Sequence, residues 1–421
     1  MDFEKVGKLI RKVRKERHLR QEDLSDEHIP RTTLSAIERG LCQNPVKVQY
    51  ILRKLDIDLS ELSDLEKEKE EDRNLYLLIL ENKANSKPRD TLSELSRLPA
   101  EYKGPHLDFL KGVCFYNVEQ YDRAADYFHR ALQLLEKTTD HERTNLKACC
   151  LTHLSVIAFI QHGHKEKALR YVEEALKIFD LDGQRRYYYI NLLTNKAIFL
   201  RSLGRPEEAL KTLDEIKIDS LEINIGAAIG VYVLKAKLKK DIKLYDSAAD
   251  CAKKGLEIAR INYNHEREVE LYITLADIYR ESGKLHRAEQ CLRAAIDLKE
   301  KISRRQWLIL EARLRLGIVY IEKKDYPLAR EILEKTKKIA KRENNMVQYS
   351  QALLSIGKVF LSEAKYEEAR AAFAEACTLH SDEHTNLEAL HGLMQAYLFL
   401  GDETNYIKYS KLYYKAKGLY E

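Results

Sequence analysis

GVCFYNVEQYDRAADYFHRAL, residues Gly112–Leu132, is the stretch whose spacing decides the fold. Phe115 follows Gly112 by three residues, Ala124 comes nine later, and Phe128 and Ala131 follow at steps of four and three. These intervals put small and aromatic residues on single faces of two helices. Small residues at Gly112, Ala124 and Ala131 let the helices approach closely, and the aromatics fill the space beside them. Polar Asn117–Gln120 marks the short turn between them.

The same rule recurs down the chain. The turn-side alanine reappears as Ala168, Ala209, Ala248, Ala288, Ala329 and Ala369, at spacings of 44, 41, 39, 40, 41 and 40 residues. Gly317/Tyr320/Ala329/Leu333, Gly357/Phe360/Ala369/Phe373/Ala376 and Ala276/Tyr279/Ala288/Leu292/Ala295 are close copies. Ala236/Lys239/Ala248 is the weakest, because Lys239 takes the aromatic slot. The pattern resembles the tetratricopeptide repeat, a helix–turn–helix pair that cannot bury its apolar face alone and therefore stacks on its neighbours. The usual period is about 34 residues, so longer helices are expected here. The fold class this implies is all-α, with a right-handed superhelix of about nine helix pairs over residues 65–421. Within it, 65–100 is a degenerate first pair, 101–400 the repeats and 401–421 a cap in which Tyr406, Tyr409 and Tyr413 seat the last helix.

Composition agrees with long solvated helices. Charged residues are 33% of the 421, against 16 glycines and 7 prolines, and the net charge is only +5. Its distribution is uneven. Lys5, Lys8, Arg11, Lys12, Arg14, Lys15, Arg17 and Arg20 face only Glu16 within residues 5–20, whereas Glu61–Asp72 is mostly acidic. Seven cysteines without a C-x-x-C motif point to a reducing compartment. Cys149–Cys150 and His162/His164 read as core and turn residues, and no metal ligand set or cofactor is expected. Met1–Glu4 opens on charge, and the longest aliphatic run, Leu75–Leu80, is too short for a bilayer. The expected location is cytoplasmic, with no membrane partner.

Residues 1–64 follow a different grammar. Val6, Ile10 and Val13 give a first helix its apolar stripe. Gln21–Ser25 starts a second, and Arg31–Arg39 forms a third that Pro30 introduces and Gly40 ends. Val48, Leu52, Leu55, Ile57, Leu59 and Leu62 supply further core for a five-helix domain. The stretches Gln21–Ser25, Ile29–Gly40 with its Glu38-Arg39-Gly40, Asn44-Pro45 and Leu55–Leu59 resemble the XRE/Cro-type helix-turn-helix of phage repressors. Ser25 stands where that family usually has Ala. The Asp26-Glu27-His28 turn lacks the family's Gly, which leaves its conformation open. The resemblance implies double-stranded DNA as partner and an Arg14–Glu38 structural ion pair. It implies a phosphate contact from Gln21 and base readout by Arg31, Thr32, Thr33 and Ser35 in the major groove, with Arg39 counted among them. Helix N-capping is an equal alternative for Thr32 and Thr33. Ala36 is too short to read more than a methyl group.

The charged run Leu65–Asp72 is expected to begin the first helix pair, roughly Glu66–Asn82 followed by Pro88–Leu98. In tetratricopeptide folds the first helix of each pair lines the concave side. On the third full repeat Ile190, Leu193, Ala197 and Leu200 form the packed face, and Asn191, Asn195, Ile198 and Ser202 lie nearly opposite. Carried along by the repeat spacing, that stripe continues through Lys237 and Asp241, then Glu270, Thr274, Asp277 and Glu281. Glu311 and Arg315 come next, then Gln351, Ser355 and Lys358. Amides, an acidic middle and flanking cations suit an extended peptide, whose backbone groups need partners when desolvated. On this reading the acidic middle favours a basic side chain or free amino terminus, and Arg315 or Lys358 a carboxylate.

A repressor-type helix-turn-helix before long tetratricopeptide repeats resembles the RRNPP group of Gram-positive quorum-sensing regulators, closest in architecture to the neutral-protease regulator. The resemblance implies a homodimeric transcription regulator switched by a short imported signalling peptide, with Asn195 clamping the peptide backbone. Two alternatives stand beside it. One is a phosphorelay modulator that binds a response regulator through its repeats, and the other a phage arbitrium-type receptor. No nucleophile elbow, phosphate loop or metal spacing is present, so no catalytic residues are expected.

Overall fold

The computed structural model describes residues 3–57, 59–99, 102–137, 142–216, 224–379 and 383–418; the side chains of 59–71, 142, 162 and 383 lie outside that description. The expected core residues Leu59 and Leu62, the His162 ring and most of the charged run before Asp72 fall among those side chains. All regular elements among the described residues are helical, and none is long and apolar enough to cross a membrane. The chain divides into two compact units, Met1–Thr138 and Thr139–Glu421.

The first unit opens with α1 (Phe3–Glu16), α2 (Gln21–Leu24), α3 (Arg31–Glu38) and α4 (Pro45–Lys54). Val6, Leu9, Ile10, Leu24, Ile29, Leu34, Ile37, Val48, Ile51, Leu52, Leu55 and Ile57 make one small core among them. α1 lies almost on α3: a Cβ added at Gly7 would stand 2.2 Å from the Ile37 carbonyl oxygen. The Asn44-Pro45 step has a local cause. The Asn44 side chain accepts from the Val46 and Lys47 N–H groups, and Pro45 occupies the first position of α4, where its missing N–H costs nothing.

A single helix, α5 (Leu59–Ser86), follows. The expected limit between residues 64 and 65 falls inside it, since neither Gly nor Pro interrupts the sequence before Pro88. The fifth short helix read from the sequence is therefore the beginning of α5, which pairs with α6 (Pro88–Ser96). The Glu94 carboxylate joins the pair by accepting from Tyr76 Oη at 2.8 Å and Lys83 Nζ at 3.1 Å. The quoted stretch folds as expected into α7 (Pro105–Asn117) and α8 (Tyr121–Leu135). Phe128 is fully buried, and a Cβ on Gly112 would lie 2.6 Å from its ring.

The second unit holds seven more pairs among the described residues: α9 (Leu146–His162) with α10 (Lys165–Ile178), α11 (Tyr187–Ser202) with α12 (Pro206–Asp214), and α13 (Ile225–Asp241) with α14 (Tyr245–Ile261). Then come α15 (His265–Glu281) with α16 (Leu285–Asp297), α17 (Trp307–Glu322) with α18 (Tyr326–Arg342), α19 (Met346–Ser362) with α20 (Tyr366–Thr378), and α21 (Glu383–Leu400) with α22 (Glu403–Ala416). With the two pairs of the first unit, the described residues hold nine. Every turn-side alanine, from Ala124 to Ala369, is completely buried. Gly317 packs on Leu333 and Gly357 on Phe373 as Gly112 does on Phe128. Where the rule is weakest, Lys239 reaches across the turn and donates to Ser247 Oγ at 2.8 Å, replacing an apolar contact by a polar tie. Cys149 and Cys150 are core residues of α9.

Within the second unit, successive first helices from α9 to α21 pack on one another, whereas successive second helices have little or no contact. The first helices are thus flanked on several sides, and their apolar residues spread around the axis. α11 buries Leu192 and Phe199 besides the expected Leu193, Ala197 and Leu200. At the end of the array, α22 has no fully buried residue, and Tyr409 stacks on Tyr397 at 5.3 Å between ring centres.

Gly112→Ala should destabilise the first unit by about 1–3 kcal/mol, because the methyl group has to displace a fully buried ring. Gly230 in α13 is the control: its nearest neighbour to an added Cβ is the tip of Arg267, 3.6 Å away. Gly230→Ala should stabilise by about 0.5–1 kcal/mol through helix propensity. Urea unfolding of the two variants checks both signs.

Candidate functional site

Two faces carry the residues singled out by the sequence. The first is α3 with its supports. Arg14 and Glu38 meet in the core as expected: Arg14 Nε donates to Glu38 Oε1 at 2.5 Å and Arg14 Nη2 to Oε2 at 3.2 Å. Arg14 Nη1 also donates to the Leu19 carbonyl, so one guanidinium ties α1, the turn before α2, and α3. Burial pushes the Glu38 carboxyl up, but hydrogen bonds from Arg14 and Gln21 outweigh it and hold the group below its ordinary value of 4.5. Gln21 Nε2 makes its bond to Glu38 Oε2 at 2.8 Å, which leaves one amide N–H for any phosphate.

The turn between α2 and α3 forms without glycine. Asp26 Oδ1 accepts from the His28 and Ile29 N–H groups, and none of residues 26–28 has positive φ. Asp26 Oδ2 accepts from Lys54 Nζ at 2.6 Å and Tyr50 Oη at 2.8 Å, which locks the turn to α4. Those two bonds hold the Asp26 carboxyl well below the usual carboxylate range.

On α3 itself, Arg31 and Thr32 are exposed and Thr33 and Ser35 are half-buried. Pro30 occupies the N-cap, and neither threonine caps the helix. Arg31 pairs with Glu22 of α2 at 2.8 Å, both side chains more than half exposed. Arg39 folds back on its own helix, with Nη2 donating to Ser35 Oγ at 2.8 Å and Nε to the Ser35 carbonyl. Lys5, Lys8, Arg11, Lys12, Lys15, Arg17 and Arg20 surround α1 with exposed positive charge.

The second face belongs to the first helices of α11 to α19. Asn191 is exposed and Asn195 half-buried, and neither amide has a hydrogen-bond partner among the described residues. The acidic middle expected from sequence is present, but its charges are spoken for. Arg201 of α11 holds Asp241 of α13 at 2.5 Å, and Lys240 of α13 holds Glu281 of α15 at 2.6 Å. Arg315 of α17 bridges Asp277 of α15 and its own Glu311. Glu270 accepts from Arg267 at 2.7 Å and from Arg305 at 3.0 Å, with Lys237 Nζ 3.7 Å away. Burial pushes Glu270 up, and those three cations more than reverse it. Thr274 is buried and donates to the Glu270 carbonyl. Gln351 is half-buried on α19 and Ser355 buried. Lys358 pairs with Glu388 of α21 at 2.6 Å beside a depression of about 360 Å³ shared with His391 and Tyr413.

The stripe read from helical periodicity is therefore a surface of ion pairs between successive first helices. Arg201, Lys240, Arg267 and Arg305 were missed. Arg267 stands three residues before Glu270 on one helix and was legible as a pair. Arg305 lies outside any helix, so no periodicity points to it.

Glu38→Leu leaves a buried guanidinium without its carboxylate and should cost the α1–α4 cluster about 3–5 kcal/mol. Arg14→Met with Glu38→Leu removes both charges and should cost much less. The stability from Glu38 is fully present above its ordinary value of 4.5 and lost as pH falls through its lower folded value. That pH dependence should vanish in the double variant. Amide hydrogen exchange of residues 3–54, followed with pH, measures each effect.

Comparison with known proteins agrees with this architecture. Two models of the tetratricopeptide repeat match residues 308–382 and 269–302, and one described as anaphase-promoting complex subunit 5 matches residues 108–218. No curated protein matches the chain in sequence. A Rap protein solved in complex with Competence and Sporulation Factor superposes with a TM-score of 0.57 at 13% identity, covering 83% of this chain and 98% of that one. The apo form of RapI gives 0.57 at 12% identity, over 84% and 97%. A signal-transduction ATPase with a tetratricopeptide repeat sensor, from Pyrococcus horikoshii, gives 0.53 at 17% identity over 79% of this chain. This chain spans about half of that ATPase, 53% of its length. At such identities the likeness is one of fold, and the fold of this chain is that of a tetratricopeptide-repeat protein.

Proposed function

We propose that the chain is a DNA-binding transcription regulator whose activity is switched by a short linear peptide held along the first helices of α11 to α19. The observation that carries the reading is the exposed N-terminal half of α3. Arg31 and Thr32 project from a short helix braced from behind by the buried Arg14–Glu38–Gln21 network and surrounded by exposed cations of α1. This is the arrangement a helix-turn-helix needs: a braced helix with exposed side chains at its start for base edges, and positive charge beside it for phosphates. The Arg31–Glu22 pair is solvent-exposed and contributes little, so exchanging Glu22 for a guanine edge has a small cost.

The peptide half of the reading rests on Asn191 and Asn195. Two unpartnered amides one turn apart on α11 suit the N–H and C=O groups of an extended backbone. A protein of the same fold solved with Competence and Sporulation Factor bound supports a ligand-holding role for such an array. Peptide contact with several first helices favours whichever arrangement of the repeats lets all of them reach it, which is how binding would shift activity. One α3 offers few base-reading side chains, so the reading includes a homodimer on a two-fold related site.

The test begins with a site selected from random duplexes by the wild-type protein. Arg31→Ala should weaken binding to that site by about 1–3 kcal/mol and relax preference at one base pair, with little change on random DNA. Equal loss on both duplexes in a gel-shift titration would remove the base-reading role. Sedimentation on the selected site should show two 49.1 kDa chains per duplex, and a single chain would remove the dimer.

A further inference from the structure

Glu270, on the first-helix face, is one carboxylate among three cations. Its side chain is 15% exposed, and Arg267, Arg305 and Lys237 converge on it from α15, from the turn before α17 and from α13. The other cations nearby have acids of their own: Arg201 has Asp241, and Arg315 has both Asp277 and Glu311. Glu266, one turn before Glu270, accepts from the Arg304 backbone N–H at 3.0 Å and has no cation at ion-pair distance among the described residues. Among the described residues Glu270 is the only carboxylate at ion-pair distance from any of the three cations, in a half-buried patch.

We propose that Lys237, Arg267 and Arg305 form a carboxylate-binding subsite, which takes an acidic side chain or the C-terminal carboxylate of the bound peptide. The inference rests on the peptide-binding reading given above, and it reverses the polarity that the acidic residues suggest in sequence. Lys237 Nζ stands 3.7 Å from Glu270 Oε1, beyond hydrogen-bond length, so its three N–H groups are still to be placed. Burial pushes the Lys237 ammonium below its usual value against the pull of Glu270 and Asp277, and Arg201 and Arg315 add repulsion.

The three cation side chains are each about a third exposed. Gly230 lies two turns before Lys237 on α13 and puts no side chain over the Arg267 guanidinium. Arg305 lies over the ring of Trp307, 5.2 Å from its centre, and that ring is 42% exposed. An arriving carboxylate accepts from Lys237 and from the outward N–H groups of Arg305, while Glu270 keeps its own bonds to Arg267 and Arg305. Glu270 is then a positioning residue. If the three cations served only to tie α13, α15 and α17 together, their removal would affect folding and leave peptide preference untouched.

The probe is a set of linear hexapeptide pools in four forms: with or without Asp and Glu, each ending in a free carboxylate or an amide. Retention of each pool by the full chain is measured by ultrafiltration and mass spectrometry. Wild-type protein should retain carboxylate-bearing pools and release the acid-free amidated pool; enrichment of the acidic-residue or the free-terminus pools says which carboxylate is read. Arg305→Gln and Lys237→Met should each lower retention about tenfold or more, with Arg305→Lys recovering part of it. Equal retention of the acid-free amidated pool by wild-type protein, or unchanged retention by both variants, overturns the subsite and leaves the peptide reading standing. Release of all four pools by the wild-type chain overturns both. The comparison among pools on wild-type protein needs no variant to fold.

Discussion

Three helix pairs of this chain, α7–α8, α17–α18 and α19–α20, close where the first helix has no side chain at the crossing, and Ala276 holds the same place in α15. Gly112 against Phe128, Gly317 against Leu333, and Gly357 and Gly392 on either side of Phe373 all show this contact. A ring or branched side chain lies where a Cβ would be, and the alanine at the start of the second helix is buried opposite. The contact fixes how closely each pair closes. Pair closure in turn leaves an apolar edge that the next pair covers. The α13–α14 pair shows the limits of the rule: Lys239 takes the aromatic slot, and a bond to Ser247 does locally what a ring does elsewhere.

Once first helices are stacked side by side, their outward residues face those one repeat away. The chain uses this for charge. Arg201 with Asp241, Lys240 with Glu281, Arg315 with Asp277 and Lys358 with Glu388 all cross between successive first helices. Exposed pairs of this kind add little stability singly. For the proposed peptide their consequence is larger, because it would meet a surface neutralised at most points and would be read by the points that are not. Those are the amides of α11 and the cation excess around Glu270.

The α1–α4 cluster solves a different problem, that of holding an eight-residue helix rigid with a core of a dozen side chains. Buried polar groups supply what apolar area does not. Arg14 serves Glu38 and the Leu19 carbonyl together, and Asp26 gathers two backbone N–H groups, a tyrosine and a lysine into a turn. Neither network engages Arg31 or Thr32, which stay exposed at the start of α3.

The sequence by itself determined the repeat, its period and the buried alanines, because each depends on spacing within one helix or one pair. It also held the Arg14–Glu38 pair and the limits of α3, through a motif whose residues lie close together. Only the tertiary structure decided the electrostatics of the stripe. Glu270 read alone is an acid; with Arg305 brought to it from 35 residues away and Lys237 from the preceding repeat, its surroundings are basic. The tertiary structure likewise replaced a missing glycine by the Asp26 carboxylate. Periodicity fixes which face a side chain is on. Which side chain of the next repeat it meets depends on the offset between stacked helices, and core packing alone sets that offset.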